Sequence, residues 1–130
     1  MFKSVILNIL WAYNLELTTN YSYFMPSLPE MKLHKDGTKF WYLNGKLHRE
    51  DGPAIEFVNG TNEWHLNGKL HREDGPAVEC ENGDTEWWLS GKIHREDGPA
   101  LKYTNGDTEW LINSKYHRED GPAIERVNGD

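Results

Sequence analysis

The sequence predicts an all-β fold, an elongated single-layer antiparallel meander of 23-residue β-hairpin repeats. Three observations predict it. The heptapeptide His-Arg-Glu-Asp-Gly-Pro-Ala occurs four times, beginning at His48, His71, His94 and His117, so the step is 23 residues each time. Tryptophan keeps the same step at Trp41, Trp64, Trp87 and Trp110. Turn dipeptides also recur in two sets. One is Asn59-Gly60, Asn82-Gly83, Asn105-Gly106 and Asn128-Gly129; the other is Asn44-Gly45, Asn67-Gly68, Ser90-Gly91 and Asn113-Ser114. Asn-Gly between short apolar runs is the strongest local signal for a two-residue hairpin, because both central positions need positive φ.

Taken in order, residues 1–27 are a cap or tail and residues 28–130 the repeat domain. Residues 28–50 are a worn first unit, 51–73, 74–96 and 97–119 are full units, and 120–130 are half of a last one. Val5-Ile6-Leu7-Asn8-Ile9-Leu10-Trp11-Ala12 has the outline of a signal peptide. It is short, Asn8 interrupts it and no small-residue cleavage site follows, so a segment covering the end of the array is the better reading. Nothing approaches the ~20 apolar residues of a membrane-spanning helix.

Within a unit, a two-residue turn at Asn59-Gly60 sets Ile55 opposite Trp64 and Glu56 opposite Glu63. Alternation then places Ile55, Phe57, Trp64 and Leu66 on one face, and Glu56, Glu63 and His65 on the other. This expects strands near 54–58, 61–66, 77–81, 84–89, 100–104 and 107–112. Trp64, Trp87 and Trp110 are expected among the most buried residues, covered by Leu70, Ile93 and Tyr116, and Trp88 more exposed. Pro76 belongs at a strand start or edge, and Asp74-Gly75 suits a tight bend.

The run Glu63-Trp64-His65-Leu66-Asn67-Gly68-Lys69-Leu70-His71, followed by Gly75-Pro76-Ala77-Val78-Glu79-Cys80-Glu81-Asn82-Gly83-Asp84, resembles a variant MORN repeat. The resemblance covers about residues 31–130. The His-Arg-Glu-Asp-Gly-Pro stretch is longer than that family's usual loop, and Glu63-Trp64-His65 stands in place of its Tyr-x-Gly opening. The resemblance implies a single-layer β-meander used for protein or lipid contact, without shared catalytic residues. Units of this variant type resemble those of phage, large-virus and bacterial proteins.

Charge narrows the partners. The formal charge is −7. Residues 1–50 hold six Lys/Arg against four Asp/Glu, leaving eight against seventeen in the rest. An acidic surface repels phosphate backbones and anionic lipids, so direct nucleic-acid binding is not expected. Cys80 is the only cysteine, which allows no internal disulfide and points to the cytoplasm, the host's if the protein is viral.

The His and Asp of the heptapeptide have the chemistry of a zinc ladder. Four identical copies favour a structural role instead. Arg49, Arg72, Arg95 and Arg118 would pair with Asp or Glu of their own or neighbouring units, and each His would bond a loop carbonyl. No nucleophile–His–acid set, phosphate-binding loop or paired-cysteine motif is present. No catalytic, metal or cofactor residue is therefore assigned, and the chain is expected not to be an enzyme. The expected function is a protein-interaction module that binds a protein partner, a host factor if the protein is from a phage or virus, through an outer face formed by Glu56, Glu63, His65, Glu79, Glu86 and Trp88. The alternatives are an acidic nucleic-acid mimic that inhibits its target, and an aromatic binder of cell-wall carbohydrate.

Overall fold

A computed structural model describes residues 27–129. The chain is all-β, an open antiparallel meander built from hairpins. The first unit holds β1 (Glu30–Leu33), β2 (Lys39–Leu43) and β3 (Lys46–Leu47). The second holds β4 (Ile55–Glu56), β5 (Asn62–Glu63), β6 (His65–Leu66) and β7 (Lys69–Leu70). The third repeats them as β8 (Val78–Glu79), β9 (Thr85–Glu86), β10 (Trp88–Leu89) and β11 (Lys92–Ile93). The fourth holds β12 (Leu101–Lys102), β13 (Thr108–Glu109), β14 (Leu111–Ile112) and β15 (Lys115–Tyr116), and β16 (Ile124–Glu125) begins the last.

The main sheet runs β1-β2-β4-β5-β8-β9-β12-β13-β16, with β3 also paired to β2. Three short hairpins, β6–β7, β10–β11 and β14–β15, stand apart from it. The expected strand 61–66 is thus two strands, and the division falls at Trp64. Its N–H donates to the Ala77 carbonyl of the next unit, at 2.8 Å, and its carbonyl accepts the His71 N–H of its own unit, at 3.0 Å. One residue thereby hands the chain from the sheet to a hairpin. Trp41, Trp87 and Trp110 make the equivalent pair of bonds.

The two turn sets differ in geometry. Asn67-Gly68 is the two-residue turn, with φ of 51° and 80°, and His65 faces Leu70 across it. At Asn59-Gly60 only Gly60 has positive φ, 96°. The loop there is three residues, Val58 to Gly60, closed by Phe57 N–H to the Thr61 carbonyl at 2.9 Å and by Gly60 N–H to the Phe57 carbonyl at 3.0 Å. The Asn59 side chain accepts the Thr61 N–H. This is the other common hairpin, in which a left-handed glycine follows a two-residue turn. Asp36 and Gly37 make the same loop in the first unit, where sequence reading placed none.

The extra loop residue shifts the expected register by one. Ile55 faces Glu63, and Glu56 faces Asn62. The same holds for Val78–Glu86 and Glu79–Thr85. Glu56 and Glu63 therefore lie on opposite faces, and the like-charge pairs expected across the hairpin do not form. Lys102 likewise faces Thr108 rather than Glu109.

The shift also corrects the burial pattern. Trp64, Trp87 and Trp110 are half-buried rather than the most buried residues. The buried apolar residues are Ala54, Ala77 and Ala100, all at 0% exposure, with Ile55, Val78 and Leu111. His65, expected outside, is buried; Leu111 takes the same position two units on, and Trp88, between them, is half-buried. Leu70, Ile93 and Tyr116 face His65, Trp88 and Leu111 rather than the tryptophans at 64, 87 and 110. A single sheet has little interior, so alanine is the residue that fits where the loop strand crosses it.

Neighbouring units are stapled at both ends. On the hairpin side, Gly91 N–H donates to the Leu70 carbonyl, at 2.9 Å, and Arg72 N–H to the Trp88 carbonyl, at 3.1 Å. On the far side, the Asp84 carboxylate accepts the Thr104 N–H at 2.7 Å, and Asp107 the Val127 N–H at 2.8 Å. Such arrays are held by nearest-neighbour contacts.

Candidate interaction surface

The heptapeptide is where the repeats concentrate their polar chemistry. The guanidinium carbon of Arg72 lies over the indole of Trp64, 4.0 Å from the ring centroid. Arg49, Arg95 and Arg118 lie on Trp41, Trp87 and Trp110 at 4.0, 3.9 and 3.8 Å. Each cation sits against the electron-rich ring face, and partial removal from water strengthens the attraction. The arginine's planar fork is then used edge-on. Arg72 Nε donates to Asp74 at 2.9 Å, and one terminal nitrogen donates to the Pro76 carbonyl at 3.1 Å and to Glu79 at 3.0 Å. The expected pairing of these arginines with carboxylates is therefore present in the four copies. Opposite Arg95, Lys102 of the fourth unit replaces the glutamate, and Arg95 keeps only Asp97 and the Pro99 carbonyl.

This stack explains the glycine after Asp. Gly75 does not have positive φ. A Cβ built on it would lie 2.7 Å from the Arg72 guanidinium carbon, so the residue is glycine because the cation needs the space. Gly75→Ala is expected to push Arg72 off Trp64 and destabilise the protein by about 1–3 kcal/mol, the usual cost of overpacking. Denaturant unfolding followed by tryptophan fluorescence checks both consequences.

The histidines are also structural, though not in the expected way. Nδ1 of His48, His71 and His94 accepts a backbone N–H from the next unit's turn: Asn67 at 3.1 Å, Ser90 at 3.0 Å and Asn113 at 3.2 Å. They accept from an N–H rather than bonding a loop carbonyl, because the turn's first amide is the group left unpaired there. Accepting at Nδ1 leaves the ring proton on Nε2, which points towards Glu50, Glu73 and Glu96 at 3.5–3.7 Å. Among the described residues, no three His, Cys, Asp or Glu side chains come together as a metal site would require.

The six residues expected to form one outer face are divided between two. Glu56 and Glu79 lie on the arginine face, bonded to Arg49 and Arg72. Glu63, His65, Glu86 and Trp88 lie on the opposite face and bond one another: Glu63 to His65 Nε2 at 2.8 Å, and Glu86 to Trp88 Nε1 at 2.8 Å. His65 Nδ1 is buried and has no partner. On the same face Glu109 is buried, held by the Tyr116 hydroxyl and by Arg126. The hydrogen bond to Glu109 raises the Tyr116 hydroxyl above its ordinary range.

What the arginine face offers instead is a series of grooves. One lies between the loops at Glu50-Asp51 and Glu73-Asp74, floored by Trp64 and Leu66. Another lies between Glu96-Asp97 and Glu119-Asp120, floored by Trp110 and Ile112. Glu50, Asp51, Glu73, Asp74, Glu96 and Asp97 project from the loops with side chains 83–86% exposed. Sequence reading treated these carboxylates as partners of the arginines, and the aspartates also as zinc ligands, but not as an interaction surface. The available signal was the constant eight-residue step from Trp to Arg, which ties each loop to one indole.

The inter-unit carboxylates give a pH dependence with a definite sign. The Thr104 N–H bonded to Asp84, and the Val127 N–H bonded to Asp107, hold both carboxyls below the ordinary range. A depressed folded-state value stabilises the fold above the unfolded value of about 3.9, and that stabilisation is lost as pH falls through the folded value. The melting temperature is expected to be level above about pH 5 and to fall below about pH 4. An Asp84→Asn/Asp107→Asn variant should show a shallower fall.

Among the described residues, no helix is long and apolar enough to cross a membrane. Compared with protein-family models and with curated protein sequences, the chain matches none.

Proposed function

We propose that the chain is a non-catalytic protein-interaction module of a variant MORN-like type, acting in the cytoplasm, and that its groove-bearing arginine face docks a protein partner. The carrying observation is the repetition of the groove. At least two equivalent grooves, each with a tryptophan and an aliphatic floor between projecting Glu-Asp pairs, recur along one face. Repetition suits an extended contact, whereas catalysis needs one unique arrangement. The heptapeptide's His and Arg side chains are committed to bonds within the array, which also favours binding over chemistry. Each groove tryptophan already carries an arginine on one ring face, which counts against a carbohydrate-stacking ladder.

The test is capture of a partner by immobilised full-length chain, repeated with a Glu73→Lys/Glu96→Lys variant. The expected result is a partner lost by at least tenfold from the variant, with both proteins melting alike. A partner retained equally by the variant would overturn the assignment to this face. Displacement of the partner by DNA, with a steep loss of binding as salt rises, would move the reading to the nucleic-acid mimic.

A further inference from the structure

The arginine face carries two parallel rows of opposite charge. The acidic row is the Glu-Asp pairs of the loops. The basic row is Lys46, Lys69, Lys92 and Lys115, one per unit and all exposed. Each lysine follows a two-residue turn and stands directly opposite Leu43, Leu66, Leu89 or Ile112, so it shares the face of the groove floor. The stem of Lys46 runs over Gly68 of the next unit and that of Lys69 over Gly91, with 3.6 Å between the lysine Cβ and the position a glycine Cβ would take. The row is thereby aligned along the array. Among the described residues, none of the four lysines forms an ion pair. One groove is lined by members of both rows, Lys92 and Lys115 with Glu96 and Glu119, together with Trp110 and Ile112.

A surface with a basic row, an apolar floor and an acidic row at one common pitch is complementary to itself. Successive units lie two strands apart, roughly 10 Å, and a second copy has that pitch by construction. Symmetry selects the orientation. Turning a copy over about an axis parallel to the array exchanges its two rows and keeps its direction, so lysines meet carboxylates along both sides. Turning it over about the perpendicular in-plane axis sets lysine against lysine. Only the first arrangement is attractive, and it is a closed two-fold contact in which one patch serves both copies.

We propose that this face binds a second copy of the chain, face to face, with the two arrays running in the same direction and the two-fold axis parallel to them. The proposal rests on the reading of this face as the docking surface and names its partner. The net charge of −7 opposes association. That charge is distributed over the whole surface and screened beyond about 8 Å at physiological ionic strength, whereas facing rows act inside that distance.

The experiment is sedimentation equilibrium of the full chain at micromolar concentration and physiological ionic strength. Two variants accompany it: Lys46, Lys69, Lys92 and Lys115 each changed to Glu, and Glu50, Glu73, Glu96 and Glu119 each changed to Lys. The wild type should be a dimer, and each variant should associate at least tenfold more weakly while melting as the wild type does. A mixture of the two variants should recover the dimer mass. The two sets change net charge in opposite directions, so a loss in both is not a net-charge effect. Carbodiimide cross-linking of mixed isotope-labelled and unlabelled chains should join lysines to carboxylates of the same or adjacent units. A monomeric wild type, a dimer that survives in both variants, or links joining Lys46 to Glu119 would each overturn the proposal. A monomer whose partner capture still fails in the Glu73→Lys/Glu96→Lys variant would leave the interaction surface standing and remove self-association alone.

Discussion

Truncating Trp88 to alanine is expected to cost about 3 kcal/mol, the lower part of the range for a large aromatic in a packed setting, and at least as much as truncating Trp87. Counting outward from a two-residue turn gives the reverse, with Trp87 inside and Trp88 dispensable. The three-residue loops decide it. Trp88 occupies the position that holds buried His65 in the preceding unit and buried Leu111 in the following one. It faces Ile93 across its hairpin, and its indole N–H donates to Glu86 at 2.8 Å. Alanine there removes ring packing and leaves Glu86 without that donor. Trp87 is half-buried, and its loss leaves Arg95 still bonded to Asp97 and to the Pro99 carbonyl. Denaturant unfolding of the two single variants measures the difference. A loss for Trp87→Ala exceeding that for Trp88→Ala by more than about 1 kcal/mol would show the inner row to be misassigned.

Arg72→Ala should be comparably damaging, at about 3 kcal/mol, although arginine is ordinarily a surface residue. It loses the stack on Trp64 and strands two groups that bond to it, the Pro76 carbonyl and Glu79. The Asp74 contact adds little, because that carboxylate is 85% exposed and screened by water. Lysine is expected to recover less than half of the loss, since an ammonium cannot lie flat on an indole while donating along two edges. The third unit indicates which contacts matter most. Arg95 has no glutamate partner and still stacks at 3.9 Å, so the ring, Asp97 and the proline carbonyl place the guanidinium without the glutamate. Urea titrations of Arg72→Ala and Arg72→Lys test this, and a lysine variant as stable as the wild type would refute the fork-and-stack account.

The period and the antiparallel meander were legible in the sequence alone. Those features are local: a fixed 23-residue step, turn dipeptides and apolar runs too short for helices. The sequence also determined that the arginines pair with carboxylates, because Arg49–Asp51 and its copies are two residues apart and need no tertiary information. Which residues share a face was decided only in three dimensions. Asn-Gly closes a two-residue loop at Asn67-Gly68 and a three-residue loop at Asn59-Gly60, and one added residue inverts every alternation counted from it. That choice carried His65 inward and divided Glu56 from Glu63. The tertiary structure likewise decided what the histidines do, because their acceptors serve turns nineteen residues onward. It decided too why Gly75 is glycine, since the space it leaves is filled by a guanidinium whose position depends on an indole eleven residues earlier in the chain.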